Sequence, residues 1–123
     1  MISMRTLSVT NPSQIRSLLD LIHDWYFDVE KILHDQVSNT ITILLAENTK
    51  NLLEFKNNVE LMIFNVKKIE IRDTEKVGYY DINKIIYNDS SKVLKITCGI
   101  PLGIKIFTDG LRIEAKGASL LLP

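Results

Sequence analysis

Two dipeptides in this chain have the composition of a reactive site. His23-Asp24 and His34-Asp35 hold both histidines, each followed directly by an aspartate. Neutral imidazole and carboxylate are good ligands for zinc, manganese or iron, and adjacent His-Asp pairs occur in metal-dependent hydrolases. Shortly after the first pair, Tyr26, Asp28 and Glu30 stand two apart. On a strand that spacing puts them on one face, with the carboxylates about 7 Å apart. Under a covering cleft such a pair suits acid-base work or a bound cation. The candidate metal set is therefore His23, Asp24, Asp28 and Glu30.

Spacing argues against a single site built on both histidines. They lie 11 positions apart, which along a strand approaches roughly 30 Å. Structural duties are the expected ones. His23 falls in the last turn of a helix, where an imidazole can bond free carbonyls, and Asp24 can accept backbone bonds at the corner that follows. Asp35 precedes a turn and can bond its own backbone. The only cysteine, Cys98, lies in the alternating run LKITCG and reads as a small buried apolar residue. No Gly-rich phosphate loop, Ser-His-Asp order or HExxH pattern is present.

Two groups suit contact with a partner. Tyr79 and Tyr80 follow a turn at Val77-Gly78, and paired tyrosines make good interface residues, although burial of one and exposure of the other is the simpler reading. Leu120, Leu121 and Leu122 near the C-terminus call for docking on their own domain or on a partner.

Elements that position these residues follow from periodicity. Asn11 suits an N-cap, Pro12 the first helical position and Gln14 a capping box. Ile15, Leu18, Leu19 and Ile22 make one apolar stripe, so an amphipathic helix spans about 12–22. The period then falls to 2. Trp25, Phe27 and Val29 face one way in a strand that turns at QVSN and pairs with TITILLAE, whose Ile41, Ile43 and Leu45 face the core. Val59, Leu61 and Ile63 alternate, and Val66, Ile69 and Ile71 resume out of phase. A bulge or bend near Asn65 explains the slip, and the run can be two strands serving two sheets. YYDINKIIYN and KVLKITC are further strands, and Asp109-Gly110 predicts a type I′ hairpin pairing Ile106 with Ile113 and Lys105 with Glu114.

The expected fold is α+β and β-dominated: an antiparallel β-sandwich or open barrel of about seven to nine strands, in a single domain over 1–123. Composition agrees, with 46% apolar and 24% charged residues in a chain of 123. Fifteen basic residues balance fifteen acidic ones, so no net field draws in a polyanion or an anionic membrane. The densest basic pair, Lys67-Lys68, has no aromatic stacking platform beside it, which disfavours nucleic acid. The N-terminus lacks a signal-peptide core and no apolar run approaches about 20 residues, so a cytoplasmic protein is expected.

The passage IHDWYFDVEKILHDQVSNTITILL resembles the opening of small, uncharacterised bacterial β-rich domains with an HDxxF-like segment, some of them immunity-protein-like. His23, Asp24, Phe27 and Asp35 carry the resemblance. It implies a bacterial cytoplasmic protein whose surface, more than a reaction, carries the function. The expectation is a non-enzymatic binding or interaction module with no cofactor, working on a protein partner or by self-association, as in a homodimer. The alternative is a metal-dependent hydrolase using the His23-Asp24 corner.

Overall fold

A computed structural model describes residues 5–117. Within them the chain forms ten strands: β1 (Arg5–Val9), β2 (Tyr26–Asp28), β3 (Leu33–Asp35), β4 (Thr40–Leu45), β5 (Val59–Ile63), β6 (Val66–Arg72), β7 (Tyr79–Asn88), β8 (Val93–Cys98), β9 (Gly103–Thr108) and β10 (Ile113–Gly117). Two helices accompany them, α1 (Ile15–Ile22) and α2 (Thr49–Glu54). The strands build two antiparallel sheets, in the orders β1-β10-β5-β4-β3 and β2-β7-β8-β9-β6. The β-dominated fold is the expected one, with more strands and one more helix. Leu120 to Leu122 lie outside the described residues. No helix among the described residues is long and apolar enough to cross a membrane.

The inward faces of both sheets share one core. Ile41, Ile43 and Leu45 from β4 meet Leu94 and Ile96 of β8 and Ile104 and Ile106 of β9 in one buried cluster, because alternate residues of a strand point to one side. The sheets are joined where β2 meets the end of β4: Tyr26 and Ala46 exchange both backbone hydrogen bonds, at 2.8 and 3.0 Å.

Helix α1 starts as its sequence requires. Pro12–Gln14 form a 3-10 turn, and the Gln14 Oε1 accepts the backbone N–H groups of Thr10 at 2.7 Å and Asn11 at 3.3 Å. Donors that the first turn leaves without helical partners are thereby satisfied. Ile15, Leu18 and Ile22 are buried and Leu19 packs against them at the margin.

Two long strands bend together from one sheet to the other. β5 continues into β6 through Phe64 and Asn65, the latter at φ 59°. This is the bend that the phase slip requires, and a second register shift follows between Val66 and Lys68. Beside it β9 continues into β10 through residues 109–112, with β5 pairing β10 in one sheet and β6 pairing β9 in the other. The two corners are tied by Asp109 N–H to Asn65 O (2.9 Å) and Phe64 N–H to Arg112 O (2.9 Å).

That arrangement overturns the expected Asp109-Gly110 hairpin. β9 and β10 do not pair. A type I′ turn needs positive φ at both central residues, and neither Asp109 nor Gly110 has one. Lys105 lies opposite Lys95 and Glu70 instead of Glu114. Arg112 stacks 4.3 Å from the centre of the Phe64 ring, while Phe107 receives Lys68. Both strands carry an apolar inner face, and that pattern is the same whether neighbouring strands pair or face each other across a core.

The run Trp25–Ile32 is corrected in the same way. Only Tyr26–Asp28 is strand, in the second sheet; Val29–Lys31 form a 3-10 turn and Leu33–Asp35 join the first sheet. Asp28 ends the strand, because its carboxylate accepts the Glu30 N–H at 3.0 Å, a local bond that competes with the ladder. The hairpin across QVSN exists, but β3 is the strand that pairs with β4 there.

Candidate interaction groove

The crossing at residues 29–32 creates a groove on the outside of the molecule. Its floor and walls come from Asp28 on β2, Lys31, Leu44 on β4, Leu52 and Leu53 on α2, and Tyr79 on β7. Lys31 and Leu44 also wall an adjoining hollow of about 460 Å3 bounded by Glu30, Leu33, Thr42 and Glu60. Register explains the placement: Asp28 pairs with Tyr79 across the second sheet, and Leu33 pairs with Thr42 on the first.

Three large apolar side chains stand exposed around it: Leu33 at 66%, Leu53 at 57% and Phe55 at 67%. Single exposed apolar residues are ordinary, whereas three grouped around adjoining hollows are not. Phe55 is also conformationally costly. It caps α2 at φ 54° and ψ 42°, a left-handed geometry that glycine adopts freely and that costs other residues about 1 kcal/mol. The Lys31 ammonium lies 5.7 Å from its ring centre, a cation–π contact. Asp28, Glu30 and Glu60 rim the groove against the single cation Lys31, so its edge is acidic.

The predicted site residues are divided by this geometry. Asp28, Glu30 and Tyr79 meet at the groove. His23 and Asp24 sit at the α1–β2 corner, at the other end of β2, so the four proposed metal ligands do not form one set. Among the described residues, no three of His, Cys, Asp and Glu are grouped to hold a metal ion. His23 ends α1, its N–H donating to Leu19 O at 2.8 Å. Its Nδ1 lies 3.1 Å from the Asp24 carboxylate, and both side chains are exposed. Asp24 adopts φ 67° and donates its N–H to Ile82 O at 2.8 Å, which sets the turn into β2. Asp35 accepts the N–H groups of Val37 at 2.9 Å and Ser38 at 3.3 Å, and these bonds hold its carboxyl below the usual carboxylate range.

Tyr80 is corrected as a partner contact. It is fully buried (0% exposed), packed on Phe27 with ring centres 6.3 Å apart. Its hydroxyl donates to Asp73 and accepts the Val77 N–H at 3.3 Å. Burial, and then donation to Asp73, push its ionisation above the ordinary tyrosine value. Tyr79, one residue earlier, points outward to the groove, as strand alternation demands.

Leu33, Leu44, Leu53, Phe55 and Lys31 were not singled out by their sequence context. The signal available was NTKNLLEFKNN, which fits neither strand period nor a long helix. Asn48 caps α2 by accepting the Asn51 N–H at 2.8 Å, and only Leu52 of the helix is buried. A six-residue helix with one buried leucine leaves its neighbours outside.

Cys98 is buried, and burial, with the Asp81 charge adding to it, pushes its thiol up to about 12. Since the thiolate is the reacting species, alkylation at neutral pH is expected to proceed far more slowly in the native protein than in denaturant. Mass-spectrometric labelling time courses measure this, and equal rates would contradict the burial. No protein-family model matches the chain, and no curated protein matches it.

Proposed function

We propose that the protein is a non-enzymatic interaction module of the bacterial cytoplasm that captures a protein segment in the groove between α2 and the β3–β4 hairpin. The observation that carries this reading is the grouping of exposed Leu33, Leu53 and Phe55 around two adjoining hollows that share Lys31 and Leu44 and are rimmed by Asp28, Glu30 and Glu60. Apolar and aromatic anchors of this kind supply most of the energy in protein recognition. Asp28, Glu30 and Glu60 favour a segment with apolar anchors flanked by lysine or arginine, because complementary rims set specificity and encounter rate. The strained conformation of Phe55 fits the same reading, since such strain concentrates at binding sites. The resemblance of the HDxxF-like segment to immunity-protein-like domains is also compatible with partner capture.

A displayed peptide library selected against the wild type and against a Leu53→Ser/Phe55→Gly variant tests the proposal. The wild type is expected to enrich peptides with apolar residues beside basic ones, and the variant to lose them. Glycine suits the left-handed position of Phe55, so the variant is expected to melt close to the wild type. Failure to enrich, or enrichment that survives both substitutions, would remove the groove as the binding surface.

A further inference from the structure

The outer face of the second sheet has a property that the groove does not share. Strand register brings Lys84 of β7, Lys95 of β8, Lys105 of β9, and Lys68 and Arg72 of β6 onto its central rows, with Glu70 as the one carboxylate among them. Lys95 and Lys105 are direct cross-strand partners. Arg72 and Lys84 occupy the next row through Gly103 and Thr97. Glu70 is already engaged, 3.0 Å from Lys68, and the surrounding cations, Lys68 foremost, hold its carboxyl below its usual range. Lys84, Lys95, Lys105 and Arg72 enter none of the ion pairs among the described residues.

Like charges directly opposed on adjacent strands destabilise a sheet. A chain with no net charge has enough carboxylates to separate them, yet this face concentrates cations. Local stability yielding in this way is characteristic of a surface kept for binding. Exposed Ile86 (53%) is the cross-strand partner of Lys95 in the same row, adding an apolar contact to the charge.

We propose that this face docks an acidic protein segment, with carboxylates placed between Lys84, Lys95, Lys105 and Arg72 and an apolar side chain over Ile86. Charge complementarity selects the occupant. Nucleic acid fits less well, because binding of single strands depends on successive stacking rings. These rows hold one ring, Phe107, which is partly buried and has the Lys68 ammonium 5.5 Å from its centre. The proposal is independent of the groove, which shares only β7 with this face, at Tyr79, and has an acidic rim.

Labelled poly-L-glutamate and oligothymidylate of equal length, titrated against the full chain by fluorescence anisotropy, test it. Polyglutamate is expected to bind at low ionic strength and to be released by salt. The pair Lys84→Glu/Lys95→Glu is expected to weaken binding about tenfold, whereas Lys50→Glu/Lys56→Glu, on and beside α2, leaves it unchanged. The first pair places a carboxylate opposite Lys105, so its Tm is expected at or above the wild-type value, and lost binding then reports the face and not unfolding. Absence of polyglutamate binding, equal loss in both pairs, or tighter binding of oligothymidylate would each overturn the proposal.

Discussion

Phe27→Ala is expected to lower the free energy of unfolding by about 3–5 kcal/mol, the range for truncating a buried aromatic residue. Phe27 is completely buried and sits where β2 is stitched to the end of β4, beside the Tyr26–Ala46 bridge. Its ring packs against Tyr80 at a tilt of 35°, and Tyr80 in turn anchors the 73–77 loop through its hydroxyl. The cavity would be walled by two sheets that backbone bonds hold in place, so collapse around it is restricted. Total stability of a domain this size is about 5–15 kcal/mol, so the loss is a large fraction of it. Urea unfolding measures it: a shift of the midpoint with unchanged slope is the expected form. A loss under about 1 kcal/mol would mean that the β2 edge is not part of the cooperative core.

Gly117→Ala is expected to destabilise by about 1–3 kcal/mol through overpacking, while Gly110→Ala stays within about 0.5 kcal/mol. A methyl group on Gly117 would lie 2.8 Å from the Asn58 carbonyl oxygen and 3.0 Å from Val59 Cγ2. The first is backbone next to β5, and it cannot withdraw without disturbing the β10–β5 ladder. At Gly110 a methyl group meets nothing within 4 Å, and its φ is not positive. A type I′ hairpin would reverse this order, since there the second turn residue must be left-handed. Thermal unfolding of the two variants side by side therefore tests the crossing of β9 into β10 directly, and a larger loss at Gly110 would contradict it.

These contrasts show which information is local. Asn11, Pro12 and Gln14 act through neighbours within four residues, so the start of α1 was legible in the chain. The Asp35 turn was legible for the same reason. Strands β7 and β8 were also readable, because their alternation is set by one buried face. The switch of sheets near Asn65 left a mark too, since bending a strand between two cores shifts its phase.

Pairing was not legible where alternation is ambiguous. Ile104, Ile106, Ile113 and Ala115 alternate identically in a hairpin and in two strands facing across a core. Only the competition for partners separates the cases: β10 is claimed by β1 and β5, and β9 by β6 and β8. The same competition splits the Trp25–Ile32 run, sends Tyr79 outward and Tyr80 inward, and separates His23 and Asp24 from Asp28 and Glu30. By itself, the amino-acid sequence determined the β-rich class, the capped helix and the faces of the regular strands, all consequences of period and short-range bonding. The groove and the lysine face were decided by tertiary structure alone, because both gather residues far apart in the chain through strand register, which no local period encodes.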